Sequence, residues 1–331
     1  MDDTDKIIRA YQPRLTLQQI AIDDLWMPPR TRKVGEPKPY LISAHDYMVD
    51  SGGTRVLHRL CHLLNEKGYQ AYMGCGGVNP EWNEKTVMQR GDLKQFRANG
   101  GIAVYGEQFI DRGNFYHAPT AVGWQLGRFG ECQRYNANFD FYPSLSVTGY
   151  NDPQLFINVI ELEMFNNEGT GDRPYTTVWI GKGSGEVIER LKFTHLIAYH
   201  RNGNFDFLPS GVTVVKARHE IADVLRKSRL LISYDSASAV ITEARLCGCP
   251  VTWMPNTGNL PGFNLCSEKL WLEVNAEYGT LDGIARTNTP EEIKRAGQTV
   301  RFFGERYRHY IAREELQVDQ FIRTTQALGE I

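Results

Sequence analysis

The chain has 331 residues, 41% hydrophobic and 23% charged, with a formal net charge of −2. That length suits two domains of ordinary size. The near-neutral charge argues against a nucleic-acid groove built on bulk charge, so no nucleic-acid partner is expected, although 37 Lys and Arg leave room for a local basic patch.

No apolar run reaches the ~20 residues that span a bilayer, and no signal peptide opens the chain, so a cytoplasmic location is expected. The six cysteines are Cys61, Cys75, Cys132, Cys247, Cys249 and Cys266. Cys247 and Cys249 stand too close together for the usual zinc pair, and no second pair completes a site. They read as small buried thiols.

Residues 1–38 read as an N-terminal arm. Its apolar residues are only loosely periodic, and Pro28-Pro29 with Arg30-Thr31-Arg32-Lys33 breaks the pattern. The arm is expected to pack on its own protein, with a homodimer or peripheral membrane contact as the alternative.

A first Rossmann-like domain is expected over 39–170. Tyr40-Leu41-Ile42-Ser43-Ala44 reads as a buried strand, and Ser51-Gly52-Gly53-Thr54 as a loop. Val56, Leu57, Leu60, Leu63 and Leu64 then fall at helical spacing. Gly68 is a C-cap candidate, and a strand resumes at Gln70-Ala71-Tyr72-Met73. This βαβ unit points to a parallel sheet. Further strands are expected at 102–105 and 139–142.

A second Rossmann-like domain is expected over 171–290. Strands are predicted at 176–180, 195–198, 212–215 and 230–234, with helices at 186–192, 219–228 and 238–247. The tail, 291–331, reads as helical and is expected to pack back across the domains, with Thr289 as N-cap before Pro290. The fold class that fits is α/β, two Rossmann-like domains facing a central cleft.

Several residues in this frame could carry chemistry. Gly52 and Gly53 lie between a strand and a helix, where glycines permit positive φ and close approach of a ligand to backbone N–H groups. Gly181-Lys182-Gly183-Ser184-Gly185 repeats that arrangement with a cation that can neutralise a diphosphate. Asp235 and Glu243 are spaced so that both can face one cleft. Asp235 could instead cap helix 238–247, and Glu243 could pair with Arg245 or Lys227. His117, His45 and Asp46 are candidates for a general base acting on an acceptor hydroxyl.

The segment from Tyr234-Asp235 through Thr242-Glu243-Ala244 to Leu246-Cys247-Gly248-Cys249-Pro250-Val251 resembles the carboxyl-domain signature of GT-B glycosyltransferases. It is most like bacterial polysaccharide enzymes related to the GT4 group. Val104-Tyr105-Gly106-Glu107 and the stretch 121–130 look like amino-domain segments of the same enzymes.

The resemblance implies transfer of a sugar from a nucleotide-diphosphate donor to a glycan or lipid-linked acceptor hydroxyl, in glycan or polysaccharide synthesis, with hexosyl or deoxyhexosyl donors. By position, Glu243 would hydrogen-bond the ribose, and Ser236, Ala237 and Ser238 would offer backbone N–H groups to the diphosphate. Lys182 would contact the phosphates, His219 would lie near the base, and Gly52 and Gly53 would face the donor from the other domain. Asp235 would be a catalytic-site carboxylate.

The family usually has Glu at Asp235, and an Arg followed about five residues on by a Lys where this chain has Lys182 and Val187. No cofactor or metal is expected, since the only Asp-x-Asp sequence is Asp3-Thr4-Asp5. A nucleotide-sugar epimerase on the same fold and a non-catalytic nucleotide-sugar-binding scaffold are the alternatives.

Overall fold

The computed structural model describes residues 35–49, 51–86, 90–106, 109, 113–126, 140–143, 155–181, 192–198, 208, 210–235, 238–254, 271–272, 275–276 and 280–328. Residues 1–34 of the arm, residues 186–191 of the expected helix, and Lys182, Ser236, Ala237, Cys132 and Cys266 lie outside the described residues. The chain divides into two compact units. Among the described residues the boundary falls between Ile157 and Asn158, and again between Arg313 and Glu314. The sequence reading places these boundaries at 170/171 and 290/291.

The first unit carries β1 (Tyr40–Ser43), α1 (Gly52–Glu66), β2 (Ala71–Met73), α2 (Arg90–Ala98), β3 (Ile102–Gly106), β4 (Thr120–Gln125) and β5 (Asp140–Pro143). All five strands are parallel, in the order β2-β1-β3-β4-β5. Tyr40, Leu41 and Ile42 are fully buried, as expected of a parallel strand covered on both faces.

In α1, Leu57, Leu60, Cys61 and Leu64 form the buried stripe. Each leucine contributes roughly 1.5–3 kcal/mol through burial. Gly68 follows the helix with φ 83°, and Tyr69 N donates to Leu64 O at 3.0 Å, so the expected glycine stop is present. Asn65 then fastens the turn to β2, its Oδ1 accepting from Ala71 N and its Nδ2 donating to Ala71 O, both at 3.0 Å.

The second unit carries β6 (Tyr175–Trp179), β7 (His195–Ile197), β8 (Thr213–Val215), α3 (Arg218–Arg226), β9 (Ser228–Ser233), α4 (Ala239–Leu246) and β10 (Val251–Trp253). Then come α5 (Pro290–Thr299), a 3-10 turn at Val300–Phe302 and α6 (Phe303–Ile311). Its five strands are also parallel, in the order β10-β9-β6-β7-β8. Thr289 caps α5 through its hydroxyl, which accepts from Glu292 N, and Pro290 takes the first turn.

The last helix, α7 (Glu314–Ala327), belongs to the first unit. Lys38 Nζ donates to Gln326 O at 2.7 Å and Leu328 O at 2.6 Å, and Tyr40 OH meets Thr325 Oγ1 at 2.8 Å. Of the three C-terminal helices only this one leaves the second unit. Lys38 is therefore a buried anchor of the first unit rather than the end of a separate arm.

Candidate functional site

In the second sheet the chain runs outward from β6 through β7 to β8, then returns to the other side of β6 for β9 and β10. The order reverses between β6 and β9. At such a switch point the two loops leave the carboxyl edge in opposite directions and open a crevice, the usual ligand position in an open parallel α/β sheet. Trp179 and Ser233 are register partners there, so the loops after β6 and β9 start side by side.

Gly181 and Asp235 meet in this crevice. Gly181 has φ 55°, and a Cβ built on it would lie 2.5 Å from Asp235 Oδ2 and 2.7 Å from Trp179 Nε1. Only glycine fits both the backbone conformation and the space. Asp235 is 2% exposed. Ser233 Oγ donates to Asp235 O at 2.6 Å and accepts from Asp235 N at 3.2 Å, which fixes the turn.

Asp235 is thus buried against Gly181 at the carboxyl edge. The alternative of Asp235 as a helix cap fails, because the N-cap of α4 is Ser238. Ser238 is the one residue of the 236–238 turn that is described, and it sits at the start of α4 as expected.

Glu243 does not face an open cleft. Residues Val240–Leu246 of α4 are all buried, so the helix has no free face at that position. Its Oε1 accepts from Arg218 Nη2 at 3.0 Å, with the Glu243 side chain 1% exposed. The same Nη2 donates to Glu161 Oε2, and the guanidinium lies 4.8 Å from the centroid of Phe165. Burial of an acid demands such a partner, since an isolated buried charge costs several kcal/mol.

The sequence reading offered Arg245 or Lys227 instead. Arg245 is committed elsewhere, with Nε donating to Asp282 O at 2.7 Å and its guanidinium 3.5 Å from the Phe303 ring centroid. Sequence reasoning missed Arg218. One signal was available: an Arg at the first position of a helix opposes the helix dipole and needs a tertiary reason to be there. His219, the next residue, is exposed at the carboxyl edge after β8, about 10 Å along the sheet from β6 at ordinary strand spacing.

The first sheet has its own switch point. The chain goes from β1 to β2 on one side and then to β3 on the other, so the order reverses between β1 and β3. His45 follows β1 at that edge, half-buried, its ring 5.0 Å from that of Phe109. Asp46 is next to it, but its Oδ1 accepts from Gly76 N at 3.1 Å and Gly77 N at 2.9 Å. Asp46 is thus a staple between the β1 and β2 loops.

Gly52 and Gly53 are the first residues of α1, behind the N-cap Ser51, rather than a loop. Neither has the positive φ that glycine permits. A Cβ on Gly53 would meet nothing within 4 Å. What remains of that expectation is a helix N-terminus at the same edge as His45, where Ser51 Oγ accepts from Thr54 N.

His117 is exposed, has φ 50° and lies on the loop that enters β4. It thus approaches its strand at the amino end, whereas His45 leaves β1 at the carboxyl end. The described contacts do not bring His117 to His45 or Asp46.

Among the described thiols Cys61, Cys247 and Cys249 are buried and Cys75 is half-buried. Cys61, Cys75, Cys247 and Cys249 are unpaired with one another. Burial pushes Cys75 and Cys247 up to about 12 and raises Cys61 and Cys249 further. Among the described residues no cluster of His, Cys, Asp and Glu is grouped to hold a metal ion, and no helix is long and apolar enough to cross a membrane.

No family model matches the chain, and no curated protein matches it in sequence. Solved structures with similar architecture include the glycotransferase of kitacinnamycin, at 12% identity and a TM-score of 0.46, over 88% of this chain and 100% of that one. The glycosyltransferase SnogD from Streptomyces nogalater aligns at 10% identity and a TM-score of 0.44, over 86% of this chain and 99% of that one. The DNA-modifying enzyme β-glucosyltransferase, solved with and without its substrate uridine diphosphoglucose, aligns at 7% identity and a TM-score of 0.42, over 87% of this chain and 100% of that one.

Proposed function

We propose that the chain is a glycosyltransferase of the GT-B class that moves a sugar from a nucleoside-diphosphate donor to an acceptor hydroxyl. One observation carries the reading: Gly181 lies against Asp235 where the order of the second sheet reverses. That contact brings the ends of β6 and β9 together at the carboxyl edge of the sheet, where a ligand of an open α/β sheet binds. The likeness of residues 234–251 to the GT-B signature supports the same assignment.

In this reading Lys182 and the backbone N–H groups of Ser236, Ala237 and Ser238 meet the charge of the diphosphate. His219, exposed on the same edge, would lie near the base. Asp235 and Glu243 act through others: Asp235 shapes the crevice, and Glu243 fixes Arg218. His45, at the switch point of the first sheet, is the proposed general base on the acceptor side. A polysaccharide or lipid-linked acceptor and a hexosyl or deoxyhexosyl donor complete the proposal.

A thermal-shift series with UDP, GDP, TDP and CMP tests the site, because a ligand at a hundred times its Kd stabilises the fold by ~2.7 kcal/mol. Incubation of the corresponding sugar nucleotide with a panel of acceptors then tests transfer. Release of nucleoside diphosphate together with a glycosylated acceptor is expected. An epimerised sugar with donor alone, or binding without turnover on any acceptor, overturns the transferase reading.

A further inference from the structure

His58 sits in the middle of α1 with its side chain fully buried. Its Nε2 is 2.9 Å from the carbonyl oxygen of His45. A carbonyl only accepts, so Nε2 carries a hydrogen. The other ring nitrogen, Nδ1, is 2.8 Å from Glu84 Oε1, and the Glu84 side chain is also fully buried. A neutral ring protonated at Nε2 would point the Nδ1 lone pair at a carboxylate oxygen. A second proton must lie on that contact.

The surroundings favour that proton on the ring. Glu84 Oε2 accepts from Asn79 N at 2.7 Å, a bond that stabilises the ionised carboxylate. Among the described groups around His58, Tyr47 of the β1 loop presents its ring edge-on at 5.3 Å between centroids, and Cys75 Sγ lies 3.8 Å from Nε2. Burial keeps that thiol protonated, so Cys75 does not compete with Glu84 for the charge. Asp46 is exposed and engaged with Gly76 and Gly77.

We propose that His58 is a positioning residue: a buried imidazolium, paired with Glu84, that clamps the His45 carbonyl and holds His45 at the carboxyl edge of the first sheet. The assignment of the ring state stands on the geometry alone. Its catalytic consequence rests on the reading of His45 as general base. The chain thus spends a buried ion pair, a costly device, on fixing one short loop. Asp46 and the Tyr47 N–H, which donates to Gly77 O at 2.8 Å, tie the same loop to the segment that carries Glu84.

The test uses the full chain. Nitrogen NMR of ring-labelled histidine is expected to show both His58 nitrogens protonated at pH 7.5, where an exposed histidine of ordinary pKa, about 6.5, is mostly neutral. A singly protonated His58 ring overturns the inference. In Glu84→Gln the side-chain shape is kept and the charge removed, and the His58 ring is expected to become neutral at that pH. A ring that stays doubly protonated in this variant removes Glu84 from the pair.

His58→Gln keeps a donor for the His45 carbonyl without the charge. It is expected to lower kcat for sugar transfer about ten- to hundredfold while KM for the donor stays unchanged. An unchanged kcat overturns the positioning role. A wild-type chain that transfers no sugar overturns the proposed function instead, and the ring-nitrogen result then decides the inference by itself.

Discussion

Arg218 holds Glu243 across two helices of the second unit, with Nη2 3.0 Å from Oε1 and the acid closed to solvent. The pair explains how a carboxylate survives inside α4, where Val240, Ile241, Ala244 and Leu246 are all core. It also joins the start of α3 to the helix that begins at the crevice. The exposed arm of the network, Glu161, shares the same guanidinium nitrogen.

Removing Arg218 should therefore cost far more than removing Glu161. Arg218→Met leaves Glu243 as an uncompensated buried charge and is expected to destabilise the fold by about 3–5 kcal/mol. Glu161→Ala, on a side chain 43% exposed, should cost no more than about 1 kcal/mol. The double variant Arg218→Met/Glu243→Leu should be more stable than Arg218→Met alone. Urea denaturation of these variants and of Glu243→Leu checks this. A double variant that loses the sum of the Arg218→Met and Glu243→Leu costs would show that the two residues are not coupled.

Gly181→Ala tests the crevice. The added Cβ would be 2.5 Å from Asp235 Oδ2, on a residue already at φ 55°. Strain and overpacking together are expected to lower stability by about 1–3 kcal/mol. Because the loop must shift away from Asp235, the stabilisation by nucleotide should also fall. Adding Asp235→Ala removes only the contact with Oδ2 and should recover little of the lost stability, because Asp235 Cβ at 2.6 Å and Trp179 Nε1 at 2.7 Å still meet the new methyl. Thermal melts with and without nucleotide separate the two effects, and an Ala variant that melts like the parent would refute the contact.

The parts of the fold legible in the sequence are those where local pattern and burial agree. The apolar run 40–44, the spacing of Leu57, Leu60 and Leu64 and the stop at Gly68 define β1 and α1, and 230–234 followed by 238–247 defines β9 and α4 to within two residues at each end. β4 is hidden because Thr120-Ala121-Val122-Gly123-Trp124-Gln125 has a glycine in mid-strand and no alternation, and only its neighbours β3 and β5 make it a strand. α2 is hidden because Arg90–Ala98 is largely polar, with only Leu93 and Phe96 buried among its described side chains. In the site, Asp235 and Glu243 stand out by type and spacing, but their burial does not. That burial depends on Arg218, 25 residues from Glu243, and on Gly181, far from Asp235 in the chain. Half of the recognisable signature is structural: Gly248 has φ 69°, and a Cβ there would lie 2.7 Å from Arg173 Nη2.

The attachment of α7 depends on Lys38. Its ammonium donates to two carbonyls at the end of that helix, where the helix dipole also favours a cation. Lys38→Met should cost about 1.5–3 kcal/mol, the range for hydrogen bonds to a charged group. Tyr40→Phe, which loses the bond to Thr325, should cost about 0.5–1.5 kcal/mol. Native-state hydrogen exchange locates the effect. Amides of Phe321, Ile322 and Thr325 should exchange faster in Lys38→Met, while those of β9 in the other unit stay unchanged. Equal acceleration in both places would mean that α7 is not docked through this residue.

Buried thiols make the fold sensitive to alkaline pH. Burial raises Cys75 and Cys247 to about 12, whereas an unfolded cysteine titrates near 8.5. Below pH about 8.5 both states hold the proton and the thiols contribute no pH dependence. Above it the unfolded chain releases protons that the folded chain retains, so stability falls as pH rises until the folded thiols ionise near 12. Each such thiol contributes a slope of about 1.4 kcal/mol per pH unit in that window. Denaturant unfolding between pH 8 and 10 should show the decline, and Cys247→Ala should reduce its slope by about one proton. At pH 8 Cys61, Cys247 and Cys249, all buried in the native chain, should resist iodoacetamide and react only on unfolding. Rapid labelling of the folded chain at Cys247 would contradict the burial that sets this behaviour.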